Sequence, residues 1–285
     1  MSDEDSAFAS FERKWLEANP EQSAVLVFLK PEQRQPARAF GSLIHELTQT
    51  AFMVREPQVA AAKLSWWQQE LMGASAGNAR HPISRELFRD SSAIDPATWR
   101  VLIDGAIAQL DASFPSTFED LLTSLSDFFG PVAAIETQLT SGTESQLDAI
   151  AKLWICSHLL LVAQNAPHVA ERTSMPLDLL ARHGISRADL AASSPIQIAV
   201  LKDFIGQVRD TITENRRRIS DASLGRLVRA RADCWLVDRA IRADDPADYL
   251  SRRARNLRWR SLWWAWQEAR HLTSRSADPK SGRAA

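Results

Sequence analysis

Apolar residues recur at every third and fourth position through nearly the whole chain. The two-residue alternation of a half-buried strand is hard to find over any useful length. This pattern predicts an all-α fold. Phe40, Leu43, Ile44, Leu47, Ala51 and Val54 share one helix face, with Pro36 suited to the opening turn and Pro57 to the stop. A second helix carries Val59, Leu64, Trp66, Trp67 and Leu71. Asp95-Pro96 forms a cap and first turn ahead of Trp99, Leu102, Ile103, Ala106, Ile107 and Leu110, and Thr117 with Asp120 gives a capping-box variant. The stretch from Glu144 to Gln164 is apolar on several sides, as a central helix surrounded by others would be. His183-Gly184 reads as a left-handed cap, and Ser194-Pro195 opens another helix.

These elements predict a single-domain bundle of about ten helices. The expected layout is an N-terminal segment over 1–20, the helical domain over 21–273, and a disordered tail over 274–285. Phe40, Leu43, Leu47, Trp66, Leu102, Ile103, Ile107, Leu153, Leu160, Phe204 and Ile205 are expected to line one core or its central cavity.

Charge and composition narrow the function. Lys and Arg total 34 against 35 Asp and Glu, so no protein-wide basic field draws in nucleic acid. With 10 glycines in 285 residues, no stretch resembles a P-loop, a GxGxxG turn or a GxSxG elbow. Cys156 and Cys234 lie far apart without a CxxC or a Cys/His cluster, so no metal site is expected, and both thiols read as buried small apolar groups. The N-terminus opens on Asp3, Glu4 and Asp5, and no apolar run approaches the roughly 20 residues that cross a bilayer. The expected location is the cytoplasm, at most touching a membrane surface.

The most distinctive local pattern is Glu56-Pro57, then Lys63-Leu64-Ser65-Trp66-Trp67-Gln68-Gln69-Glu70-Leu71, then His81-Pro82. It resembles the squalene/phytoene synthase family, and Met175-Pro176-Leu177-Asp178-Leu179-Leu180 with Gly184 extends the likeness to about residue 189. The resemblance implies an all-α isoprenoid synthase fold. In active members, paired aspartates on two facing helices hold Mg²⁺ against the diphosphates of two prenyl substrates, which are joined head to head.

Those aspartates are missing. The first motif, F-x-R-x-x-D-D-x-x-D, laid on Phe40 falls on Ser42, His45, Glu46 and Gln49, and only Glu46 keeps a carboxylate. The aspartates of the second, counted back from Pro176, fall near Ala163 and Pro167; Glu171 is the only acid between Asp148 and Asp178. Arg172 matches the family arginine that follows. The chain resembles the respiratory complex I assembly factor branch, which also lacks intact motifs.

The resemblance therefore implies a ligand cavity lined by Ser42, His45, Glu46, Gln49, Trp66 and Trp67, with Cys156, Leu159 and Ala163 from the central helix. Its occupant would be an isoprenoid or lipid-like molecule, or the chain would act on a protein partner, with no cofactor. The alternative is an active prenyl transferase with a rearranged diphosphate site, using Glu46, Glu171, Arg172 and Glu70, and it alone would need Mg²⁺. The spacing Asp244/Asp248 is interrupted by Pro246 and reads as accidental. His158 on the apolar helix reads as a hydrogen-bonded core residue.

Arg252 to Arg270 holds six arginines against one acid, Glu268, with Trp259, Leu262, Trp263 and Trp266 on one face and Trp264 elsewhere. The favoured reading docks that Trp face on the bundle. The other places it at a membrane surface.

Overall fold

The computed structural model describes residues 3–89, 94–140, 142–166, 168, 174–191, 194–220 and 222–277, and these contain no β-strand. The helices run α1 (Asp3–Ala18), α2 (Pro20–Phe28), α3 (Pro31–Met53), α4 (Pro57–Ser75) and α5 (Pro82–Leu87). They continue with α6 (Pro96–Ala108), α7 (Phe118–Leu139), α8 (Leu147–Asn165) and α9 (Leu177–Arg182). The C-terminal part holds α10 (Pro195–Arg216), α11 (Leu224–Ala240), α12 (Pro246–Ser251) and α13 (Arg253–Ala277). The tail expected from 274 lies partly in α13, and residues 278–285 fall outside the described ones.

Local chemistry accounts for the helix starts. Seven of these helices open on a proline, whose missing N–H costs nothing in the first turn. The Asp95 carboxylate accepts from Ala97 N at 2.8 Å, and the Ser194 hydroxyl accepts from Gln197 N at 3.1 Å. Thr117 and Asp120 form both bonds of the capping box, at 3.1 and 3.0 Å. Gly184 follows α9 with φ of 65°, a conformation that penalises a Cβ. Pro36 is not the opening residue: α3 starts at Pro31 and carries Pro36 inside it. Two prolines compete for the first turn, and the earlier one takes it.

Packing follows the expected stripes with two exceptions. Phe40, Leu43, Leu47, Leu102, Ile103, Leu153, Leu160, Phe204 and Ile205 join one core, and Ile107 packs against it. Phe8 of α1 belongs to the same core, and Trp15 of α1 is buried against Gly41 of α3. Helices α6 and α7 touch at Gly105, where an added Cβ would stand 2.1 Å from the Asp127 carbonyl oxygen. Trp66, by contrast, is 45% exposed, whereas its neighbour Trp67 is buried. The second exception is α13, which turns Leu257, Ser261, Trp264 and Ala265 inward and leaves Trp259, Leu262, Trp263 and Trp266 outside. Small Ser261 and Ala265 let the backbone of α13 approach α2 and α11 closely, and this outweighs the larger rings on the other face. The docked-Trp expectation is therefore wrong.

The apolar stretch Glu144–Asn165 is long and apolar enough to cross a membrane by length and composition, contrary to the expectation from sequence, but 67% of its most apolar 18-residue window is buried within the protein. Helices α7, α10, α11 and α12 surround α8, which makes it the central helix.

Candidate functional site

A cavity of about 660 Å³ lies between α2, α3, α7, α8, α11 and α13, within the range of small-molecule sites. Helix α3 turns Phe40, Ile44, His45, Thr48 and Gln49 toward it, and α8 turns Trp154, Ser157, His158 and Leu161. Of the positions expected to line it, His45 and Gln49 do. They lie four residues apart on one helix face, where the resemblance put two aspartates.

The other expected lining residues point elsewhere. Glu46 leaves the cavity and pairs with Lys63 at 3.4 Å, because neighbouring helix positions diverge by about 100°. Ser42 is buried away from it. Trp66 is exposed, and Trp67 packs on His81 with ring centroids 4.7 Å apart. Cys156, Leu159 and Ala163 are fully buried on the far side of α8, with the Cys156 thiol 3.9 Å from the Val208 carbonyl. Burial pushes that thiol's pKa well up, which makes it inert. Counting back from Pro176 selected the wrong stripe of α8, since the inward face is Ser157, Leu161 and Gln164. Glu171, Arg172 and Pro167 lie outside the described residues.

The cavity wall holds a buried ion network that sequence reasoning missed. Arg229 of α11 bonds Asp233 at 3.0 Å and Glu21 of α2 at 2.9 Å. Arg253 of α13 reaches the same two carboxylates, at 2.8 and 3.1 Å. The Ser157 hydroxyl donates to Asp233 at 2.5 Å, so α2, α8, α11 and α13 meet here. A second cluster lies beside it: the Glu136 carboxylate accepts from Trp154 Nε1 at 2.6 Å, from Arg226 Nε at 3.3 Å and from the Ser223 hydroxyl. The Arg226 guanidinium also lies 3.7 Å from the Trp154 ring centroid. Its Nη1 is buried without a hydrogen-bond partner among the described residues. Three arginines thus face three carboxylates. A signal for this existed: Arg226, Arg229 and Asp233 stand at i, i+3 and i+7 on one side of α11.

The described residues do not fit a Mg²⁺ cluster. Among the described residues, the only carboxylates lining the cavity are Glu32, which is exposed, and Glu136, whose oxygens are taken by the donors above. No group of three or more His, Cys, Asp or Glu residues able to hold a metal occurs among the described residues. The Asp244/Asp248 spacing makes no site either: Asp248 pairs with Arg252 in an exposed helical turn.

The motif that carried the resemblance serves the fold. Glu70 Oε1 accepts from Arg80 N and His81 N, both at 2.8 Å, and His81 Nδ1 accepts from Ile83 N at 3.2 Å to cap α5. Burial works to raise the Glu70 pKa, and the His81 and Arg80 donors more than offset it, leaving it lowered. Replacing Glu70 by alanine orphans two N–H donors, so a loss of about 1–3 kcal/mol is expected in urea titrations. Glutamine, which keeps one acceptor oxygen, should lose less.

The fold is that of the all-α isoprenoid synthases. It matches a dehydrosqualene synthase solved with a ligand, with a TM-score of 0.71 and 14% identity over 95% of this chain and 98% of that one. Squalene synthase HpnC from Alicyclobacillus acidocaldarius matches with a TM-score of 0.59 and 13% identity over 95% and 94%. The chain belongs to the squalene/phytoene synthase family, whose model matches residues 19–260. No curated protein matches it by sequence.

Proposed function

We propose that this chain is a non-catalytic member of its family that holds an isoprenoid or a related lipid in the central cavity without metal, and works as an accessory or assembly protein. One observation carries the reading. Among the described residues, the one acid that α3 and α8 bring to the cavity is Glu32, exposed at the start of α3, while His45, Gln49, Ser157 and Leu161 stand where a metal site would need carboxylates. The charge balance of the wall supports it further. Each of the three arginines already faces a carboxylate, and the other lining cation, Lys30, is exposed, so a multiply charged diphosphate buried beside the arginines would find none of them unpaired, at a large desolvation cost. An apolar chain with a small hydroxyl or carbonyl head suits Phe40, Ile44, Phe129 and Leu161 better.

The test has two arms. Labelled farnesol or geranylgeraniol should bind equally well with Mg²⁺ and with EDTA. Incubation with farnesyl or geranylgeranyl diphosphate and Mg²⁺ should yield no head-to-head hydrocarbon in gas chromatography. Robust metal-dependent formation of that product would establish the active-transferase alternative and overturn the reading.

A further inference from the structure

The outer face of α13 plays no part in the cavity or the ion network, and its composition is unusual for a surface. Trp259 is 65% exposed, Leu262 and Trp263 49% each, and Trp266 36%. With Arg255 and Arg270 they stand at i, i+4, i+7, i+8, i+11 and i+15, which is one continuous helical stripe. Trp263 stacks on Trp266 with centroids 4.9 Å apart, and Arg270 lies 4.8 Å from the Trp266 ring. Arg260 sits 5.0 Å from the Trp259 ring. The helix's one acid, Glu268, pairs inward with Arg231 at 3.1 Å. The stripe is therefore apolar at its centre, basic at both ends and free of negative charge. Large exposed rings at such density mark an interaction surface.

We propose that this stripe docks α13 flat on an anionic lipid bilayer, with the indole rings at the headgroup level and Arg255, Arg260 and Arg270 against the lipid phosphates. The chemistry selects a bilayer over a protein partner. Trp and Arg together are the side chains that settle in the interface between headgroups and acyl chains, and the positive rim complements its surface charge. The position of the stripe agrees with this. A shallow groove bounded by Trp266 and Arg270 shares Phe28, Ala269 and Thr273 with the cavity lining, so docking brings the cavity's edge to the membrane.

Sedimentation of the full chain with vesicles tests the proposal. Phosphatidylcholine vesicles containing about a third phosphatidylglycerol should bind the protein roughly tenfold better than pure phosphatidylcholine, and salt should weaken the binding. W259A/W263A/W266A should lower binding by at least about tenfold. R255E/R270E should abolish the preference for anionic vesicles. Deleting α13 is a poor substitute, because Arg253, Leu257 and Trp264 belong to the interior; the point variants change exposed residues and should keep their helical content and thermal midpoint. No binding to anionic vesicles, or binding that the Trp substitutions leave unchanged, overturns the proposal. So does a dimer in light scattering that the Trp substitutions dissolve, since a second copy would then cover the face.

Discussion

Replacing Asp233 by alanine is expected to destabilise the protein by about 3–5 kcal/mol, the range for removing one partner of a buried ion pair. Asp233 is 1% exposed and holds Arg229, Arg253 and the Ser157 hydroxyl. Without it two buried guanidiniums share Glu21 as their nearby counter-charge. Asp233→Asn keeps the shape and one acceptor oxygen, so it should fall between alanine and the native protein. Asp148→Ala breaks exposed pairs with Lys152 and Arg218 and should cost no more than about 1 kcal/mol. Urea unfolding of the three variants separates these cases, and a loss under about 1 kcal/mol for Asp233→Ala would show that the network is solvated. The pH dependence follows from the same geometry. Burial opposes ionisation of Asp233, but Arg229 and Arg253 hold its pKa down at about 2. Its contribution is intact above the ordinary carboxylate range and is lost as pH falls from there through about 2.

How much of this could be read from the chain depended on whether periodicity or geometry decided the matter. Helix existence was legible because apolar spacing and capping residues agree locally: Thr117 with Asp120, Asp95 with Pro96, and Ser194 with Pro195 each make the expected bonds. Helix orientation was less legible. On α8 nearly every position is apolar, so spacing could not choose between the stripe of Cys156, Leu159 and Ala163 and the true inward stripe of Ser157 and Leu161. On α13 the large rings suggested a buried face, but close helix contact favours small residues, and Ser261 and Ala265 took the interior. The ion network was least legible, since Glu21, Asp233 and Arg253 lie far apart in sequence and only the fold brings them together. The loss of the aspartates was legible, and the placement of His45 and Gln49 in the cavity sharpened it.

The central helix supplies the second large effect, through His158. Its ring packs between Phe52 and Phe129, with centroids 4.2 and 5.5 Å away, and its Nδ1 is buried with no hydrogen-bond partner among the described residues. At this nitrogen the hydrogen bond that the sequence suggested is not made among the described residues. Burial alone lowers its pKa to about 4. The native imidazole stays neutral down to that pH, while the unfolded one takes up a proton near its ordinary value of 6.5. Unfolding thus binds a proton in this window, and stability falls as pH drops from about 6.5 to about 4. At 1.36 kcal/mol per unit the total is about 3 kcal/mol. His45 and His81, whose pKa values burial also lowers, add to the same slope. His158→Phe keeps an aromatic ring between Phe52 and Phe129 and removes the proton site. At pH 7 the variant should lie within about 1.5 kcal/mol of the native protein. Toward pH 4 it should gain about 3 kcal/mol relative to it; the slope from His45 and His81 cancels in the difference. Parallel stability curves for the two proteins would mean that water or a bound molecule already satisfies the ring in solution.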